Sequence, residues 1–168
     1  GGDVFVTTVG VGTAAATISS PLVMTANRIF TVADEGTAAV DLTVSGVVSG
    51  GFALTKAGLG TVTLSGANTY TGVTTISAGV LKLGSTAALG TVAGGTVVAD
   101  TAALDLNGFT LGTAEPLTLN GTGGDTLAGA LQNSSATNVT YTGLIALASA
   151  SSVVADAGVI TLSNAGTD

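Results

Sequence analysis

Short runs in which apolar and polar residues alternate recur along the whole chain: "LTV" at 42–44, "FAL" at 52–54, "VTL" at 62–64, "LKL" at 81–83, "LDL" at 104–106, "FTL" at 109–111, "LTL" at 117–119 and "ITL" at 160–162. A period of two places the flanking apolar residues on one face of an extended chain, so each run predicts a short strand. Gly, Asn, Asp and Ser stand between them, and no stretch sustains the i, i+3, i+4, i+7 pattern with capping residues. The reading is all-β with essentially no long helix.

Whole words return as well as the alternation. A strand followed by Ser-Gly or Asn-Gly appears as "LTVSG" at Leu42, "VTLSG" at Val62, "LDLNG" at Leu104 and "LTLNG" at Leu117, with "ITLSN" at Ile160 as a variant. "VAD" stands at Val32, Val98 and Val154, and "TYTG" at Thr69 and Thr140. Strands about 10 residues apart, with similar words returning after about 20 or more, predict a coil whose turns each hold two or three short strands. The spacing is irregular, so loops of different length interrupt the coil or different faces carry the same word. At roughly 20 residues per turn and about 4.8 Å per step the chain would make about eight turns, near 40 Å long. Leu64, Ile76, Leu81, Leu83, Leu104 and Leu106 should then point inward. A β-sandwich is the alternative, but it ordinarily uses strands of about five to six residues and large aromatic anchors.

Composition sharpens this picture. The chain has 168 residues, 46% of them hydrophobic and 8% charged, with 26 Gly, no Trp and only four Phe. That is too apolar for disorder and suits a core of small and β-branched side chains in a single solenoid segment spanning residues 1–168. The formal charge is −7, and the only cations are Arg28, Lys56 and Lys82. Three scattered cations cannot supply the counterion release that phosphate backbones demand, so nucleic acid is not an expected partner. Every apolar run is broken short of the roughly 18 residues of a transmembrane helix, and the strand runs lack the aromatic girdles of a membrane barrel; direct membrane insertion is not expected. The first residue is Gly, so any export signal is expected outside this stretch. Cys and His are both absent, which removes disulfides, thiolate zinc, Cys nucleophiles and His-based triads together.

The most distinctive local stretch is "LSGANTYTG", Leu64 to Gly72, set between "TVTL" and "TTISAGVLKL". It reads either as a binding loop or as the corner of a repeating scaffold. Residues 52–84, "FALTKAGLGTVTLSGANTYTGVTTISAGVLKLG", resemble the autotransporter-associated β-strand repeat of large exported bacterial surface proteins. The resemblance is carried by Leu54, Lys56, Gly58, Gly60, Thr61, Leu64, Ser65, Gly66, Asn68, Thr69, Tyr70, Gly72, Thr74, Gly79, Leu81 and Leu83. Leu59, Val73 and Val80 depart from the pattern, making this copy more apolar. The resemblance implies a right-handed parallel β-helix within a passenger or adhesin stalk at the bacterial cell surface, and it implies no catalytic residue. On this reading "LSGANTYTG" is a corner. Gly66 and Gly72 would supply positive φ, Asn68 would bond backbone of its own or a neighbouring turn, and Tyr70 would lie over the adjacent coil with its hydroxyl in water.

Several residues invite chemistry. Asp34 with Glu35, Asp100, Asp105 and Asp125 are candidate acids, and Asp100 with Asp105 could share a face; yet no aromatic platform for a sugar accompanies them, so solvated carboxylates are the expectation. "NGTGGDTLAG", Asn120 to Gly129, partly fits a calcium-binding nonapeptide with Asp125 in register, but such sites are assembled from successive copies. The Asn-x-Ser/Thr triplets at Asn120, Asn133 and Asn138 read as polar turn residues in a bacterial protein. No catalytic, cofactor or metal residue is assigned. The expected role is a non-enzymatic, extracellular stalk or filament-forming segment whose partners are neighbouring copies or adjoining solenoid segments end to end. Host or cell-surface ligands, met through a loop such as Gln132 to Thr140, are the alternative, and a carbohydrate-active β-helix a third. Both ends, "GGDVFVTTVGVG" and "GVITLSNAGTD", read as strands without caps, and so as joining surfaces or internal cuts.

Overall fold

The computed structural model describes residues 2–7, 15–34, 39–123 and 129–164. Every regular element among them is a strand, and every strand pairing is parallel. The chain coils so that each turn lays one strand on each of two sheets and a third segment across the gap. The first turn holds β1 (Val4–Val6), β2 (Ala16–Ile18) and β3 (Leu22–Val23); the second holds β4 (Arg28–Val32), β5 (Leu42–Val44) and β6 (Val48–Ser49). Next come β7 (Leu54–Ala57) with β8 (Thr61–Leu64), β9 (Thr74–Ile76) with β10 (Gly79–Leu83), and β11 (Thr96–Val98) with β12 (Ala102–Asp105). The last two turns regain a third strand: β13 (Leu117–Leu119), β14 (Leu131–Asn133) and β15 (Val139–Tyr141), then β16 (Ile145–Leu147), β17 (Val153–Ala155) and β18 (Ile160–Leu162).

The first sheet runs β1-β4-β7-β9-β11-β13-β16 and the second β2-β5-β8-β10-β12-β14-β17. This is a parallel β-solenoid, and parallel pairing throughout excludes the antiparallel sandwich. Its seven levels fall short of the eight expected, because the return from Val62 to Leu81 takes 19 residues but that from Leu117 to Ile145 takes 28. Six steps of about 4.8 Å give a stack of roughly 29 Å.

The alternating words explain the register. On the second sheet Leu42, Val62, Leu81, Leu104, Leu131 and Val153 stand over one another, and Val44, Leu64 and Leu83 form the neighbouring column. Leu64, Ile76, Leu81, Leu83, Leu104 and Leu106 are all buried in the one apolar core, as their spacing predicts. Like side chains stacked at strand spacing keep each residue in contact above and below, which lets aliphatic residues fill most of a core whose aromatics are Phe30, Tyr70 and Tyr141. "LTVSG", "VTLSG" and "LDLNG" lie on the second sheet, whereas "LTLNG" lies on the first and "ITLSN" on the third face, which resolves their uneven spacing. Two of the expected strands do not form as such. "FAL" contributes only Leu54 to a strand, and "FTL" is a non-strand segment packed against the core on the third face.

Candidate functional site

The corner 64–72 is tied to turns on both sides. The Val48 N–H donates to Asn68 Oδ1 at 2.8 Å, and Asn68 Nδ2 donates to the Ala88 carbonyl at 2.6 Å. Thr69 N–H reaches the Val48 carbonyl, while Thr91 N–H reaches that of Tyr70. A single amide therefore bridges three successive turns, where the third segment lacks a continuous ladder of its own. Asn133 repeats the device, accepting from the Gly108 N–H at 2.9 Å and donating to the Ala157 carbonyl at 3.3 Å, while Asn107 and Asn120 each donate to a single neighbouring turn, at the carbonyls of Leu83 and Val98. Asn120 and Asn133 are thus ladder residues and Asn138 is exposed.

Two expectations for this corner are corrected. Gly66 and Gly72 do not adopt positive φ; within the repeat that conformation falls at Gly58 and Gly79. They are glycine because the preceding turn leaves no room: a Cβ on Gly66 would lie 2.4 Å from the Gly46 carbonyl oxygen, and one on Gly72 2.2 Å from the Phe52 carbonyl carbon. Tyr70 does not keep its hydroxyl in water either. It is 0% exposed, and its hydroxyl shares a 2.7 Å hydrogen bond with Thr74 Oγ1. A threonine in the column below Leu54 gives the phenol a partner inside the core, so the whole ring can be buried. Tyr141, the second "TYTG" tyrosine, takes the same face three turns on and donates to the Glu115 carbonyl at 2.7 Å.

Lys56 was expected only as a scaffold cation. It lies in an inward column between Phe30 and Ile76, 1% exposed, with Nζ donating to the carbonyls of Ala57, Gly58 and Ala78. Its aliphatic stem fills the core while three carbonyls take the place of water around the ammonium. Burial lowers its pKa to about 8, partly offset by the Asp41 carboxylate. Asp41 is itself buried and accepts from Thr61 N–H at 2.7 Å.

The candidate acids do not converge. Asp34 and Asp100 are exposed, and Asp100 sits in the turn before β12 beside Gly121. Asp105 is buried at the far end of β12, where it accepts from Ser134 Oγ at 2.6 Å and pairs with Lys82 at 3.4 Å. Glu35 and Asp125 lie outside the described residues. Among those that are described, no group of three or more acids, Cys or His could hold a metal ion. In the stretch Gln132 to Thr140 the first two residues belong to β14 and the last two to β15, leaving 134–138 as a mostly exposed turn between them. Sequence reasoning missed Asp41 and Glu115 altogether. Glu115 is 2% exposed, Thr96 Oγ1 donates to its Oε1 at 3.1 Å, and its Oε2 has no partner. Burial raises its pKa to about 7, against the opposing effect of the Thr96 hydrogen bond. An isolated acid in an otherwise polar-periodic loop carries no pattern that marks it as buried.

A family model described as the passenger-associated transport repeat matches residues 54–83. Those residues contain β7, β8, β9 and β10 with the Lys56 cradle and the Asn68 clip between them. Residues 54–83 are a passenger-associated transport repeat. The chain is also 47% identical over 75 residues, 43% of its length, to the adhesin BmaC autotransporter of Brucella suis biovar 1 (strain 1330). It spans about 2% of the length of that relative. No solved structure matches the chain. The structure makes this a parallel β-solenoid segment, and the part of it that matches the passenger-associated transport repeat is residues 54–83.

Proposed function

We propose that this segment is a non-enzymatic building element of an exported bacterial surface protein, a spacer that lengthens a solenoid by joining adjoining solenoid segments end to end. The supporting observation is the last turn. Its side chains stand in the columns of buried neighbours but are uncovered: Leu147, below the fully buried Leu119, is 65% exposed, and Leu162, below Tyr141, is 50% exposed. An open column end of leucines, beside strand edges whose N–H and C=O groups face outward, is matched chemically by another turn of the same kind. The polar residues favour this reading too, since Asn68, Tyr70 and Lys56 spend their hydrogen-bonding groups on the stack itself.

Light scattering across a concentration series, with electron microscopy of the same samples, tests the joining role. The expected result is linear association that Leu147→Lys with Leu162→Lys abolishes; a monomer at every concentration would contradict it. The adhesive reading draws on the relative described as an adhesin. A glycan array and a polysaccharide cleavage assay separate the readings, because a spacer shows neither selective binding nor turnover.

A further inference from the structure

The fifth turn, like the third and fourth, lacks a third strand, and it is the one whose third segment sends a carboxyl into the core. Between β12 and β13 its third segment, residues 109–116, forms no strand. Its backbone is tied to the turn before it by Gly112 N–H donating to the Thr86 carbonyl at 2.8 Å, and its Thr110 side chain to the turn after it, where Thr140 N–H donates to Thr110 Oγ1 at 3.0 Å. At its end the Glu115 side chain turns into the core, where Thr74 and Thr96 occupy a column otherwise held by Leu54 and Leu117. A polar seam results: Tyr70 with Thr74, Thr96 with the Glu115 carboxyl, and Tyr141 with the Glu115 carbonyl.

We propose that the Glu115 carboxyl is a proton-operated latch, holding the 109–116 segment on the core while neutral and releasing it when ionised. A buried carboxylate needs a cation or several donors, and one of its oxygens has neither. All three cations of the chain are engaged elsewhere: Arg28 with Asn27 and Thr25, Lys56 with the carbonyls beneath it, and Lys82 with Asp105. The titratable groups facing the carboxyl are the phenols of Tyr70 and Tyr141, both held above the usual range by burial and by Glu115 itself, so they stay neutral as it titrates. The packed state raises the carboxyl from its ordinary 4.5 to about 7. The packed form is therefore favoured fully below the ordinary value, and that advantage is lost as pH rises through about 7. Release would bring Phe109 and Leu111, which pack on the core, into water.

Native-state hydrogen exchange on the whole chain, corrected for intrinsic rates, tests this at the Gly112 and Thr140 amides, which tie the segment to its neighbours, with Leu81 as the control. Between pH 5 and pH 8.5 the open population of this segment should rise on the order of a hundredfold, with the control unchanged. Glu115→Gln should flatten that response. Thr96→Val, which removes the donor that favours the ionised form, should move the midpoint to higher pH. A wild-type response that is flat, one that persists unchanged in Glu115→Gln, or a midpoint that Thr96→Val leaves in place would each overturn the proposal.

Discussion

Asn68 shows how a polar side chain becomes structural in a solenoid. Its carboxamide has a donor and an acceptor at one end, and stacking offers backbone groups on both sides. Asn68→Ala leaves the Val48 N–H and the Ala88 carbonyl without partners, so denaturant unfolding should show a loss of about 2–4 kcal/mol. For Tyr70, full burial sets the scale: Tyr70→Ala should cost about 3–5 kcal/mol, and Tyr70→Phe about 1 kcal/mol through the hydroxyl bond to Thr74. Asn68 as a bond to neighbouring turns was legible from its place between two glycines. The buried hydroxyl of Tyr70 was not, because its partner lies four residues on in the next turn. Lys56 and Glu115 were illegible for the same reason. The groups that allow their burial belong to other turns or to the backbone, and a local pattern records neither.

At the scale of the element, alternation identified the strands whose two apolar residues both enter the core, such as β5, β8, β10 and β13. It failed where an apolar pair packs without a ladder, as in "FTL", whose backbone turns too soon to pair. Repeated words identified the face when the whole turn recurred, and "TYTG" returns to the third face both times. "VAD" did not mark one place: Val32 and Val98 end first-sheet strands, while Val154 lies within β17 on the second. Glycine at the corners follows stacking distance, which gives a paired test. Gly72→Ala should destabilise by roughly 3 kcal/mol or more, because the added carbon meets the Phe52 backbone. Gly51→Ala, whose added carbon meets nothing nearer than Thr71 Oγ1 at 3.8 Å, should change stability by less than about 1 kcal/mol in the same thermal melts.

For the molecule as a whole, the composition follows from the stack. Each level is covered by the next, so a mainly aliphatic core suffices, and of the carboxylates among the described residues Asp3, Asp34, Asp100 and Asp156 stay exposed while Asp41, Asp105 and Glu115 are taken into the stack. Everything above depends on parallel, in-register turns, and the absence of cysteine makes this directly measurable by disulfide trapping on the outward column of the first sheet. Thr55 pairs with Thr75, and Thr75 with Val97, so their Cα atoms lie one strand step apart, within disulfide reach. Thr55→Cys with Thr75→Cys, and Thr75→Cys with Val97→Cys, should oxidise readily to intramolecular disulfides. Thr55→Cys with Val97→Cys, two steps or about 9.6 Å apart, should not; ready closure of that pair, or failure of both adjacent ones, would contradict the solenoid.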